Sequence, residues 1–197
     1  MAPPNYPIDS LLPLIRRLRA DKVPGDFIEL GVLAGQTLIP LGYIAECMGR
    51  KCYGVDSFRG MGEPTKEDGK RGAELYHKGR FDQKGAAYIL ARVERAGLKE
   101  TVEIWEGFVP AVLSVRTPNF TFALAHLDLD TYAPTKAALA WTWPKVVPGG
   151  YLAVHDSATL NRSVLAARAT TEFAKEHERE MSSCGVSGIT VWFRKGL

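Results

Sequence analysis

Four titratable side chains follow two short apolar runs of this sequence: Asp128, Asp130, His155 and Asp156. The runs, at 122–127 and 151–154, are bounded by turn residues, which is typical of strands covered on both faces. In an open parallel sheet, ligands bind outside the carboxyl ends of the strands. We therefore expect the four side chains to meet at one edge of a sheet. Three carboxylates held together repel one another, so such a group is more typical of a functional site than of a structural one.

A glycine-containing turn is expected after the first strand, where Glu29 leads into Gly31 and Gly35. Glycines there let the chain approach a ligand closely, and the helix that follows favours a negative group at its amino terminus. A dinucleotide site would normally show G-x-G-x-x-G, but Leu33 stands at the second glycine position. S-adenosylmethionine carries no phosphate and tolerates a looser glycine pattern. Taken alone, the turn also fits an ordinary connection between a strand and a helix.

Asp56 lies 25 positions after Gly31, at the end of the second predicted strand. A carboxylate there can accept hydrogen bonds from both hydroxyls of a ribose, which we favour. The alternative is that Asp56 caps a turn with Ser57. Gly107 and Phe108 follow the third predicted strand, where they would border an adenine or form a plain turn.

The elements that must position these residues alternate between strands and helices. The predicted strands are 26–30, 51–55, 102–105, 122–127 and 151–154, followed by an antiparallel pair at 180–184 and 189–194 with its turn at 185–188. The predicted helices are 8–20, 36–48, 82–96, 109–115, 134–143 and 163–177. This alternation predicts a doubly wound, Rossmann-like α/β fold with a mostly parallel sheet and a C-terminal antiparallel strand pair.

We expect one domain, 1–197, with a helical extension at 1–24 and a lid-like insertion at 57–84. The insertion is rich in glycine and charge and shows no sustained periodicity, which is typical of lids and binding loops.

The composition limits the classes of protein that this chain can belong to. A chain of 197 residues with 46% hydrophobic residues suits one globular domain with a full core. A net charge of +3 is too small and too dispersed to favour a nucleic-acid partner. Apolar runs fall short of the ~20 residues of a membrane span, and residues 1–6 lack the features of a signal peptide. The three cysteines have no metal-binding spacing and fit a reducing compartment, so a cytoplasmic location is expected.

Five motifs stand in the order in which a known family has them: 25–35, 54–60, 105–108, 126–132 and 144–150. With them, the chain resembles the TylF/MycF-type sugar O-methyltransferases. These are class I S-adenosylmethionine-dependent methyltransferases that decorate macrolides and aminocoumarins. The most specific part is a D-x-D-x-Y element followed by P-G-G. The resemblance implies a small-molecule acceptor with a hydroxyl group, in particular a sugar, and a homo-oligomer.

The resemblance also implies an S-adenosylmethionine site formed after the first four strands by Glu29, Gly31, Gly35, Asp56, Ser57, Gly107, Phe108 and Asp128. It implies Mg²⁺ held by the first Asp of D-x-D and by two consecutive Asp residues after the fifth strand. Carried over, these ligands are Asp128, His155 and Asp156, and His155 departs from the pattern. Magnesium prefers oxygen ligands, whereas imidazole suits zinc, iron or nickel. Three readings stay open: magnesium held by the two aspartates and water, which we favour; a softer metal that uses His155; or no metal.

Methyl transfer requires an acceptor hydroxyl that lies opposite the sulfonium and loses its proton. The predicted base is Asp130 or His155, while Asp128 and Asp156 hold the cation. An imidazole titrates near about 6.5, which suits a base. Asp130 is the choice that the resemblance implies. Four side chains of the insertion can touch the acceptor or simply face solvent: Tyr76, His77, Lys78 and Arg80.

Two other functions stay open. One is an NAD(P)-dependent oxidoreductase on the same fold, against which the missing glycine argues. The other is a non-catalytic domain that binds S-adenosylmethionine, against which the group of acidic side chains argues.

Overall fold

The computed structural model describes residues 7–116, 119–158 and 164–196, in which strands and helices alternate. The strands are β1 (Asp26–Leu30), β2 (Cys52–Asp56), β3 (Val102–Glu106), β4 (Phe122–Leu127), β5 (Val146–Val154), β6 (Met181–Ser187) and β7 (Thr190–Lys195). The helices are α1 (Pro7–Ala20), α2 (Leu38–Cys47), α3 (Gly69–Leu75), α4 (Ala87–Arg95), α5 (Ala111–Ser114), α6 (Tyr132–Thr142) and α7 (Val164–Glu176). Single 3-10 turns lie at Lys66–Asp68, Trp143–Lys145 and Glu178–Glu180.

The strands form one sheet in the order β3-β2-β1-β4-β5-β7-β6. The first five strands pair in parallel, and β7 pairs antiparallel with both β5 and β6. This confirms the predicted doubly wound α/β fold with an antiparallel C-terminal pair. The strand order reverses between β1 and β4, and a crevice is expected above the carboxyl ends of these two strands.

Apolar side chains fill both faces of the sheet, because successive residues of a strand point to opposite sides. On one face Phe27 and Leu124 pack with α1, α2 and α4, and on the other Ile28 and Leu127 pack with α5, α6 and α7. Helix α1 contributes four buried side chains to the first face: Leu11, Leu14, Ile15 and Leu18. The N-terminal helix therefore packs on the same core as the sheet. The division into one domain, an extension and an insertion stays a prediction.

Strand β5 is longer than the predicted strand at 151–154 and begins at Val146. Its pairing with β4 shifts from Phe122↔Val146 to Leu124↔Tyr151. The residues between these two pairs, which include Gly149 with a φ of +79°, form a bulge within the strand. The proline and glycines that predict a break therefore interrupt the register without ending the strand.

The closing hairpin is also longer than predicted, because β6 continues through the predicted turn at 185–188 and ends at Ser187. That predicted turn is wrong. A Cβ atom on Gly185 would lie 2.5 Å from the ring of Trp192, its partner on β7. Gly185 thus makes room for an aromatic neighbour and does not turn the chain.

The helix predicted at 82–96 begins only at Ala87. Lys84 and Gly85 have φ values of +57° and +106°, which a right-handed helix does not accommodate. The 57–84 segment, for which the sequence predicts no regular structure, contains α3.

Within the described ranges, the helices are all too short or too polar to span a lipid bilayer.

Candidate active site

A cavity of about 820 Å³ lies at the carboxyl ends of β1 to β5. The predicted site residues that line it are Gly31, Asp56, Ser57, Gly107, Phe108, Asp128, Asp130, His155 and Asp156. Most of the remaining wall comes from the 57–84 segment, the start of α6 and the residues that directly follow β1, β3 and β4. The structure therefore brings the residues after five separate strands to one concave surface.

Gly31 is the point at which the chain leaves β1 and passes close to β4. Its φ is +93°, and a Cβ atom there would lie 1.9 Å from the carbonyl oxygen of Asp128. Only glycine fits both the left-handed backbone and this approach. The turn thereby places the backbone after β1 directly beside the acidic residues after β4.

Asp56 holds the glycine turn in place through its carboxylate. Its Oδ2 accepts hydrogen bonds from the backbone N–H groups of Val32 (2.9 Å) and Leu33 (2.8 Å). Its Oδ1 accepts one from Phe58 N–H at 2.8 Å. The turn-capping interaction is therefore present. Since a carboxylate offers about four lone-pair sites, Oδ1 keeps acceptor capacity for a hydroxyl in the cavity.

Glu29 and Gly35, both predicted to bind the cofactor, do not line the cavity. A Cβ atom on Gly35 would lie 2.3 Å from Cδ1 of Ile89, so this glycine permits α4 to pack against the turn. The Glu29 side chain is buried, and its Oε1 lies 3.0 Å from Nδ1 of His126. Burial and the nearby Asp56 raise the pKa of Glu29 well above its usual range, and burial lowers the pKa of His126. These two side chains form a pair in the interior, and the neutral form of each is favoured.

Asp128, His155 and Asp156 form a group in which one potential ligand atom from each lies within 4.8 Å of the others. Nε2 of His155 is 3.8 Å from Oδ1 of Asp156. On the other side of the ring, Nδ1 of His155 is 3.1 Å from the hydroxyl of Thr190, at the start of β7. The contact with Thr190 therefore orients the imidazole so that Nε2 faces the carboxylate of Asp156.

Burial changes the protonation of this group. It raises the pKa of Asp128 to about 7, an effect that His126 opposes and that Glu29 and Asp156 reinforce. Burial also raises the pKa of Asp130 to about 7, together with the charges of Asp128 and Asp156. The pKa of His155 is lowered, first by burial. A positive charge among these side chains would favour the ionised carboxylates.

The group fits a divalent cation on the chemistry of its donors. It offers two carboxylates and one imidazole nitrogen, and Asp156 and His155 are partly open to the cavity. Water can therefore complete the coordination of a bound ion. We consider Asp128, His155 and Asp156 the residues that would hold it.

Asp68 lines the site although it is not among the residues predicted from the sequence. It is buried, lines the cavity, and accepts hydrogen bonds from the backbone N–H and the hydroxyl of Thr65 and from the N–H of Tyr132. It thereby fastens the 57–84 segment to the first residue of α6. The spacing T-x-x-D at Thr65 to Asp68 is a capping-box pattern and was the available signal.

The 57–84 segment contributes Tyr76 and Lys78 to the cavity wall. Arg80 lies in a smaller adjoining cavity of about 450 Å³, which it shares with Tyr76, Asp130 and Asp156. The predicted contact residue His77 lines neither cavity.

The fold is that of solved class I O-methyltransferases. The solved structure of the O-methyltransferase NovP superposes with a TM-score of 0.79 at 20% identity, over 96% of this chain and 79% of that one. The sequence profile of the macrocin O-methyltransferase (TylF) family matches residues 6–195. The chain belongs to this family, which confirms the resemblance predicted from the motifs.

Two curated relatives are sugar O-methyltransferases. The chain is 29% identical over 157 residues to the 8-demethyl-8-(2,3-dimethoxy-alpha-L-rhamnosyl)-tetracenomycin-C 4'-O-methyltransferase of Streptomyces olivaceus, covering 77% of this chain and 60% of the relative. It is 26% identical to the mycinamicin III 3''-O-methyltransferase of Micromonospora griseorubida, covering 76% of this chain and 61% of the relative. The chain thus spans about three fifths of the length of these relatives.

Proposed function

We propose that this protein is an S-adenosylmethionine-dependent O-methyltransferase that methylates a hydroxyl group of a sugar on a glycosylated natural product, with the help of a divalent cation. The observation that carries the proposal is the cavity itself. It has the glycine turn and Asp56 on one side and the group of Asp128, Asp130, His155 and Asp156 on the other. A methyl donor and an acceptor hydroxyl can therefore lie side by side.

The methyl donor occupies the side formed by β1, β2 and β3 in this proposal. The remaining acceptor capacity of Asp56 takes a ribose hydroxyl, and Ser57 lies beside it. Gly107 and Phe108 border the adenine; Phe108 is half exposed and lines the cavity. Gly31 brings the backbone close to the amino-acid part of the donor. Glu29 and Gly35 support this side from behind, through burial and packing.

The acceptor occupies the side formed by β4, β5 and the 57–84 segment. Asp130 takes the proton of the acceptor hydroxyl, the oxygen forms a bond to the methyl carbon, and the bond from carbon to sulfur breaks to release S-adenosylhomocysteine. Without a cation, burial and the charges of Asp128 and Asp156 raise the pKa of this carboxylate to about 7. A cation beside it would lower that pKa and favour the ionised carboxylate, which is the form that can accept the proton. A cation held by Asp128, His155 and Asp156 would supply charge stabilisation and orientation for the acceptor oxygens. His155 is then a ligand, which leaves Asp130 as the base.

The test is product formation with isotope-labelled S-adenosylmethionine and a panel of glycosylated macrolides, aminocoumarins and simple polyols, followed by mass spectrometry. We expect labelled product from a glycosylated acceptor, and loss of that product in Asp128→Asn. The matched control is Asp21→Asn, which removes a surface carboxylate that pairs with Arg194 far from the cavity. Labelled donor bound without product from any acceptor would support the non-catalytic alternative instead.

Tyr132 and Lys136 stand four positions apart, but their positions in the structure do not support the oxidoreductase alternative. Such a pair could exchange protons with a substrate, but Nζ of Lys136 contacts the Tyr132 hydroxyl at 3.0 Å and both contact Glu172 on α7. Neither side chain lines the cavity. A melting temperature that rises with S-adenosylmethionine and not with NAD(P) would support the methyltransferase.

The proposal includes two further expectations: a homo-oligomer, which the family resemblance implies, and a cytoplasmic location, which the composition indicates. Light scattering coupled to size-exclusion chromatography measures the first, and cell fractionation measures the second.

A further inference from the structure

The donor atoms of Asp128, His155 and Asp156 are close enough to share one ion. Each contributes an atom within 4.8 Å of the others. Two ligands bound to one first-row metal ion at about 2.0–2.2 Å can be at most about 4.4 Å apart, so small side-chain shifts suffice. The side chains of His155 and Asp156 are 14% and 20% exposed, which leaves a path for an ion and its water from the cavity.

The hydrogen bonds behind His155 determine which nitrogen can bind the ion. Nδ1 lies 3.1 Å from Oγ1 of Thr190, and that oxygen lies 3.0 Å from Oγ of Ser10 on α1. Thr190 has no exposed surface. When Nδ1–H donates to Thr190 and Thr190 donates to Ser10, the lone pair of the ring is on Nε2, the nitrogen that faces Asp156.

We propose that this site selects a first-row transition-metal dication such as Mn²⁺ or Co²⁺ over Mg²⁺, with Nε2 of His155 as a ligand and Thr190 as its positioning residue. This refines the cation of the proposed function and rests on that proposal for its role in the reaction. Mg²⁺ prefers oxygen ligands in near-ideal octahedral geometry, whereas the affinity of a site with nitrogen and oxygen ligands increases along the first row from Mn²⁺ through Fe²⁺ to Co²⁺. A neutral imidazole also leaves the site with only two negative ligands, which lowers its attraction for a hard cation.

The first experiment compares the wild type with His155→Asp, which presents three carboxylates. Any site binds Mn²⁺ and Co²⁺ more tightly than Mg²⁺ to some degree, so the informative quantity is the change in the affinity ratio. We expect the ratio of the Mg²⁺ to the Mn²⁺ dissociation constant, measured by calorimetry on chelator-treated protein, to fall about tenfold or more in His155→Asp. Pulsed electron paramagnetic resonance of bound Mn²⁺ should show ¹⁴N coupling in the wild type and none in the variant. His177→Gln, which changes a histidine paired with Glu180 on the surface, serves as the control.

The second experiment tests Thr190 with Thr190→Val, which keeps the shape and removes the hydroxyl. Loss of a partner that orients a metal-binding histidine typically weakens binding about 10–100-fold, and we expect a loss of Mn²⁺ affinity in that range. Thr190→Ser should restore most of it. Thr142→Val is the matched control, because Thr142 is equally buried but bonds only to the Ala138 carbonyl within α6. A general loosening of the fold would lower the Mn²⁺ affinity of Thr142→Val as well. A loss that occurs in Thr190→Val and not in Thr142→Val therefore indicates the contact of Thr190 with His155.

An unchanged affinity ratio in His155→Asp, or Mn²⁺ binding without ¹⁴N coupling in the wild type, would overturn the proposal. Methyl transfer that proceeds with such a result would leave the proposed function standing and remove only the metal assignment. Selective Mn²⁺ binding with no methyl transfer to any acceptor would support the metal assignment and contradict the proposed function.

Discussion

Replacing Asp68 by alanine should release the 57–84 segment from the start of α6. The carboxylate accepts hydrogen bonds from Thr65 N–H (2.7 Å), the Thr65 hydroxyl (2.9 Å) and Tyr132 N–H (3.2 Å). It therefore caps two helical starts, its own 3-10 turn and α6. Loss of a cap costs typically ~1 kcal/mol, and a negative charge at a helix start contributes about 0.3–1 kcal/mol. Two caps and one charge together give roughly 2–3 kcal/mol, which we expect the ordered structure of the segment to lose, in part from its own 3-10 turn and in part from its contact with α6.

Hydrogen exchange followed by mass spectrometry measures this loss directly. At about 1.4 kcal/mol for each factor of ten, amides of 66–75 should exchange about 30–100-fold faster in Asp68→Ala, while amides of β1 and β4 keep their protection. The control is Asp82→Ala, in the same segment, where the carboxylate accepts one exposed backbone N–H, from Lys84. If exchange in 66–75 were no faster in Asp68→Ala than in Asp82→Ala, the anchoring role would be refuted.

Three further predictions concern the turn after β1 and the contact between α6 and α7. Gly31→Ala should lower the melting temperature more than Gly49→Ala, because both have positive φ, which costs about 1–2 kcal/mol for alanine, but only Gly31 has a backbone oxygen 1.9 Å from the new Cβ; equal shifts in a thermal melt would contradict this. Asp56→Asn, which loses an acceptor for charge-assisted bonds, should weaken S-adenosylmethionine binding about tenfold or more by calorimetry, and an unchanged dissociation constant would remove Asp56 from the donor site. Glu172 has a pKa lowered to about 2 by hydrogen bonds from Tyr132 and Lys136, so its contribution to stability is present above about 4.5 and is lost as the pH falls toward 2. The melting-temperature difference between wild type and Glu172→Gln should therefore be full at neutral pH and vanish near pH 2, and a difference that persists there would contradict the assignment.

The central strands could be predicted from the sequence because they are buried on both faces. Asp26–Leu30 and Phe122–Leu127 match the predicted ranges, since short and largely apolar runs bounded by turn residues are typical of buried strands. The common edge for Asp128 and His155 followed from the rule that parallel strands end together. The additional residues at the start of β5 could not be predicted from the sequence. Proline and glycine are typical both of a bulge and of the end of a strand, so the pattern does not distinguish the two.

The interactions that complete the site connect residues far apart in sequence. Asp68 meets Tyr132 across 64 positions, and His155 meets Thr190 across 35. Local patterns carry no information on which distant hydroxyl or amide a side chain will meet. The sequence motif places Glu29 and Gly35 in the region of the turn after β1. Only the folded structure shows that Glu29 is buried in the interior and that Gly35 packs against α4.

The 57–84 segment enters and leaves the fold between β2 and α4, and it shares no strand pairing with the sheet. One hydrogen bond that holds it to the rest of the chain runs from Tyr132 N–H on α6 to the carboxylate of Asp68. Phe58, at the start of the segment, is buried in the core beside the sheet. We expect that a different sequence grafted at this position, with Phe58 and the acid at position 68 kept, would reshape one wall of the cavity and leave the strand pairing unchanged. Variation confined to this one segment would therefore change the acceptor side of the cavity and leave the sheet as it is.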